Sequence, residues 1–88
     1  MHVTTEALKM QERRIHRARR IARRGDQARN IGVQHKRAQA LLPLDLAEPG
    51  SLDRYFADSG HRQFKADRAF EIARRYYQLA ERVRLGIA

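Results

Sequence analysis

The sequence predicts an all-α protein, a small three- or four-helix bundle whose N-terminal half is a basic helical hairpin. Three observations carry this. Apolar residues recur every three or four positions in separate tracts. No stretch alternates long enough to make a strand. Glycine and proline fall between the tracts, where helices stop. The 88 residues are expected to form one domain over 1–88, with the basic hairpin over 5–42, a connector over 43–50 and a C-terminal helical scaffold over 51–88.

The first element starts at Thr4 or Thr5, either of which can cap a helix, with Glu6 in the first turn, where the helix dipole favours an acid. Leu8, Gln11, Ile15, Ala18 and Ala22 form a thin stripe on it. Gly25 is expected to stop this helix and Asp26 to cap the next. In that second helix Ala28, Ile31, His35, Ala38 and Leu42 repeat with helical spacing. Gly32 weakens it by about 1 kcal/mol relative to Ala, and Pro43 ends it. The first two helices should therefore fold back on each other. The connector holds both prolines, and its Leu44 and Leu46 are expected to enter the core. Ser51 should cap a short helix bearing Leu52, Tyr55 and Phe56, with a turn at Asp58, Ser59 and Gly60. The last helix is expected from about His61 to Leu85, burying Ala69, Ile72, Ala73, Tyr76, Leu79, Ala80 and Val83 as the spine of the bundle.

Charge is the second signal. The net charge is +9 and the isoelectric point is about 11.2, which favours polyanionic partners. Arg outnumbers Lys and Ala is abundant, as coding bias would produce, but bias does not explain where the charge lies. Up to Leu42 there are eleven bases against three acids; beyond it there are eight against seven. The basic residues of the first helix gather opposite its apolar stripe, whereas the last helix interleaves both signs. Arg grips phosphate through paired hydrogen bonds, and each neutralised phosphate releases counterions. The candidate nucleic-acid-binding residues are Lys9, Arg13, Arg17, Arg20, Arg23 and Arg24, helped by Lys36 and Arg37. All six aromatic residues lie between Tyr55 and Tyr77, outside the basic half and with core spacing. That favours duplex DNA or structured RNA held by its backbone over a splayed single strand. The Arg-rich stretch is similar in composition to arginine-rich RNA-binding peptides, a likeness that assigns no role to any one residue.

Other chemistries find less support. With no cysteine, disulfides, thiol catalysis and Cys-based zinc sites are excluded. His2, His16, His35 and His61 are scattered without metal-ligand spacing, and His35 reads as a core or interface histidine. Asp58, Ser59 and His61 crowd one turn, where a helix cap is a better reading than a nucleophilic triad. There is no Gly-rich phosphate loop, so the chain is expected to be a non-enzyme without cofactors. No apolar run is long enough to span a membrane, and the first helix lacks the large apolar residues that membrane-surface binding needs. The first 24 residues are Arg-rich like a transit peptide, but Glu6 and Glu12 argue against that, and a cytoplasmic location is expected. A helix-turn-helix across Leu52–Ala69 would present Arg62, Lys65 and Arg68 to a groove, although Phe56 stands where a small residue is needed. The alternative to nucleic-acid binding is a protein-interaction module, an inhibitor or adaptor whose basic face docks on an acidic protein. A homodimer is a further expectation, because Ile31, Leu42, Tyr76 and Tyr77 exceed what one small core covers.

Overall fold

The structure, a computed structural model, describes residues 4–87. It consists of two long helices, α1 (Thr5–Ala40) and α2 (Ser51–Arg84), joined by a connector and packed antiparallel. Among the described residues there is no strand. Thr4 caps α1, its hydroxyl accepting the Ala7 N–H at 3.2 Å. At the other end the Leu41 N–H reaches back to the Arg37 carbonyl at 3.1 Å, and Pro43 prevents continuation. The connector is tied by Asp45. Its carboxylate accepts the Ala47 N–H at 3.0 Å, and its own N–H donates to the Ser51 hydroxyl at 3.2 Å. Gly50 precedes α2 with φ 79°, a left-handed conformation that glycine adopts without strain.

Each helix therefore runs through the point where the sequence predicts a break. No helix ends at Gly25 and Asp26, and Asp58–Gly60 is not a turn: both stretches are helix interior. The three- or four-helix bundle, the hairpin confined to 5–42, the helix-turn-helix at Leu52–Ala69 and the cap at Asp58–His61 all give way to one hairpin of two helices. The reason at Gly25 is close approach. A Cβ at Gly25 would lie 2.9 Å from the Tyr77 ring, and one at Gly32 would lie 2.7 Å from the Phe70 ring. The glycines admit rings from α2, and that packing offsets the helix propensity they lose.

The spacing of these contacts is regular. Ala18, Gly25, Gly32 and Gln39 recur every seven residues on α1, as do Ser59, Ala66, Ala73 and Ala80 on α2. Such a seven-residue repeat keeps one seam of each helix against its partner. Small residues fill the seam, so the axes approach closely, and polar pairs close it near the connector. The Gln39 amide donates to the Ser59 hydroxyl at 3.0 Å. Arg62 contacts His35 Nδ1 at 3.1 Å.

The core is correspondingly slight. Its buried apolar residues are Ala18, Ala28, Ala66, Ala69, Ala73, Ala80 and Val83. Leu44 and Leu46, expected inside, are 44% and 76% exposed. Ile72 and Leu79 are 39% and 41% exposed, since they lie beside the α2 seam. The molecule is a rod of 76 × 17 × 13 Å with a radius of gyration of 20.8 Å, against about 12 Å for a compact domain of this length.

Candidate nucleic-acid interface

All eight candidate residues lie on α1. Because α1 is unbroken, they are strung along one rod. Lys9 and Arg37 stand about 42 Å apart at the rise of an α-helix, where a fold at Gly25 would have returned Lys36 and Arg37 towards Lys9. At about 3.6 residues per turn, Lys9, Arg13, Arg17, Arg20 and Arg24 form one continuous row outside the Ala18–Gly25–Gly32 seam, with Arg13 and Arg17 at its flank, where they line a hollow with Val83 and Gly86 at the end of α2. Arg23 lies beside that row, and Arg37 continues its edge two heptads further on. All of these are exposed.

Lys36 differs. Its ammonium donates to the Gln63 side-chain oxygen across the hairpin and to the Gln39 side-chain oxygen at 3.5 Å. It serves the helix–helix contact and lies off the row. Arg14 sits near the seam, its guanidinium against Gly86 at the end of α2. There it faces the negative end of the α2 dipole, a favourable place for a cation.

The electrostatics of the two helices differ in kind. The ion pairs among the described residues are all on α2: Arg74 with Glu71 at 2.6 Å, Arg75 with Glu71 at 3.3 Å, and Arg84 with Glu81. The Arg74 hydrogen bond, reinforced by its charge and by Arg75, holds the Glu71 carboxyl below its ordinary range. Arg84 does the same for Glu81. No base of α1 lies within ion-pair distance of an acid among the described residues. Asp26 is engaged elsewhere, accepting the Tyr77 hydroxyl. That bond, with some burial, pushes the Tyr77 phenol above its ordinary range.

Three neutral residues escape a reading of the sequence. Gln27, Asn30 and Gln34 are exposed and continue the outer face of α1 beyond Arg24. Their continuity with the Arg row depends on the helix running through Gly25, which local signals deny.

No family model matches the chain, and no curated protein or solved structure matches it either. The residues themselves must carry the functional reading. What they offer is an exposed cationic row continued by amides, able to hold several anionic groups spaced along a line. No helix of the described residues is long and apolar enough to cross a membrane. The aromatic residues, expected in the core, divide. Phe70 and Tyr77 pack on α1 glycines, whereas Phe56 and Phe64 are exposed on α2, off the helix that carries the row.

Proposed function

We propose that this chain binds the phosphate backbone of duplex DNA or structured RNA through the outer face of α1. The observation that supports this reading is the row Lys9, Arg13, Arg17, Arg20 and Arg24, exposed and without an acidic partner among the described residues. On α2, by contrast, carboxylates stand within reach of three arginines. Unneutralised cations three and four residues apart repel one another on a helix. Phosphates relieve that repulsion and release their counterions as they bind. Arg23 and Arg37 extend the contact, and the amides of Gln27, Asn30 and Gln34 can donate to phosphate or sugar oxygens.

The test is fluorescence anisotropy with labelled duplex DNA, duplex RNA and an RNA hairpin across a salt series. Replacing Arg13, Arg17 and Arg20 with Glu should lower affinity by about 1,000-fold or more, since each charge-assisted contact is worth about 1.5–3 kcal/mol. It should also flatten the dependence of log affinity on log salt by about 2.7, with helical circular dichroism retained. The paired change Arg74→Glu and Arg75→Glu on α2 should leave affinity within a few-fold. Unchanged affinity in the α1 triple variant overturns the reading, and capture of an acidic protein through the same three arginines would replace it.

A further inference from the structure

Two helices that meet through alanine and glycine leave much of the chain uncovered. Its accessible surface is 7414 Å², whereas a compact monomer of 10.3 kDa exposes about 5,400 Å². The excess is about 2,000 Å². Among the described residues no large side chain is fully buried. A hairpin with this core has little apolar burial to set against the conformational entropy of ordering two long helices.

Exposed apolar side chains run along the rod from Leu8 to Ile87, and three of them meet on one flank. Midway along the rod, one flank carries a groove of about 470 Å³ lined by Ala28 and Ala69, with Ile31, Ile72 and Phe64 around it. Ile31, Phe64 and Ile72 are 50%, 65% and 39% exposed. Small residues make a hole, and beside it Phe64 stands out as a knob. An isologous pair requires both on the same surface, so that each copy fills the other. We propose that a second copy of this chain covers this flank, making a symmetric four-helix dimer.

The areas agree. If each copy loses half of its excess surface, the dimer buries about 2,000 Å² in total, within the range of stable homodimers. Charge sets a further signature. His35, Lys65 and Arg68 line the groove, Asp67 and Glu71 flank the same Phe64, Arg68 and Ile72 on their other side, and each copy carries a net charge of +9. The aliphatic stems of Lys65 and Arg68 can cover apolar surface while the charged ends reach water, but two copies still bring like charges together. An amphipathic helix rich in acids would feel the opposite force. Self-association should therefore tighten as salt screens the repulsion, whereas polyanion binding weakens. The proposal does not rest on the nucleic-acid reading, since it concerns other residues and the protein alone.

The experiment is sedimentation equilibrium on the full chain over a range of concentrations, at low and high salt, with thermal melts on the same samples. The expected result is a species of twice the 10.3 kDa chain mass, populated at lower concentration in high salt, with a melting temperature that rises with chain concentration. The double variant Ile31→Gln and Phe64→Gln, which leaves the charge unchanged, should sediment as a monomer. Should that variant unfold, the wild-type melts decide, because only association coupled to folding makes them depend on concentration. A helical wild-type monomer at every concentration and salt, melting independently of concentration, overturns the proposal. So does a dimer that survives unaltered in the variant.

Discussion

Among single residues, the glycines separate local preference from packing. Gly32 and Gly60 both lie inside helices, and both cost about 1 kcal/mol relative to Ala by propensity alone. Their surroundings are opposite. A Cβ at Gly32 meets the Phe70 ring at 2.7 Å, while one at Gly60 meets nothing within 4 Å. Gly60→Ala should therefore raise stability by up to about 1 kcal/mol. Gly32→Ala should lower it by about 1 kcal/mol or more, as overpacking outweighs the gain in propensity. Urea unfolding at fixed chain concentration measures both, and a Gly32→Ala protein as stable as Gly60→Ala would contradict the close contact. Tyr77 supplies a second test. Its hydroxyl donates to Asp26 only while protonated, so the fold holds its pKa above the ordinary value. The contribution to stability is thus complete below the ordinary tyrosine pKa and is lost as pH rises through the raised one. In an ultraviolet titration of phenolate, Asp26→Asn should move one tyrosine to lower pH. A curve that Asp26→Asn leaves in place would contradict the bond. What the sequence left illegible at this scale has one cause. Gly25 and Gly32 look like breakers because the rings that need them are about 40–50 positions away. The matching seven-residue intervals, Gly25 to Gly32 and Phe70 to Tyr77, are the trace of that pairing.

Between the helices, the contrast is one of charge pattern. Helical periodicity, the cap at Thr4 and the stop at Pro43 are local, so they are legible in the sequence, as is the Arg row, which lies within a few turns of one helix. Grouping Lys36 and Arg37 with that row assumes a fold at Gly25, and the continuous helix puts Lys36 against Gln63 instead. The Arg row has an energetic consequence when nothing is bound. Lys9–Arg13, Arg13–Arg17, Arg19–Arg23 and Arg20–Arg24 are like-charge neighbours four residues apart, each destabilising by about 0.2–0.5 kcal/mol. Screening should relieve them, so amide exchange over residues 9–24 should slow as salt is raised. The stretch of α2 that holds Glu71 with Arg74 and Arg75 should show no such slowing, because its pairs are attractive. Measured by hydrogen exchange on the monomeric Ile31→Gln/Phe64→Gln variant, the effect is separated from association. Equal slowing along both helices would mean that the row is not under strain from its own charge.

In the molecule as a whole, shape connects the row to the flank. A rod 76 Å long keeps the first half of α1 clear of the mid-rod groove, since Arg13 and Ile31 are about 27 Å apart along the helix. A second copy docked on that groove would leave both Arg rows open. A two-fold axis through the groove and perpendicular to the rod would then place one row towards each end of the assembly. The dimer would be a bivalent polyanion binder, and its second row would engage at high effective concentration once the first was bound. Salt dependence distinguishes this from two independent rows. Four arginines contacting phosphates give a log–log slope of about −3.6, and two rows on one duplex give about −7. On a duplex long enough for both rows, the wild type should show the steeper slope. The Ile31→Gln/Phe64→Gln variant, whose Arg row is untouched, should show about half of it, together with weaker affinity. On a duplex too short to reach both rows the two proteins should converge. Equal slopes on the long duplex would mean that each row acts alone, however the copies associate.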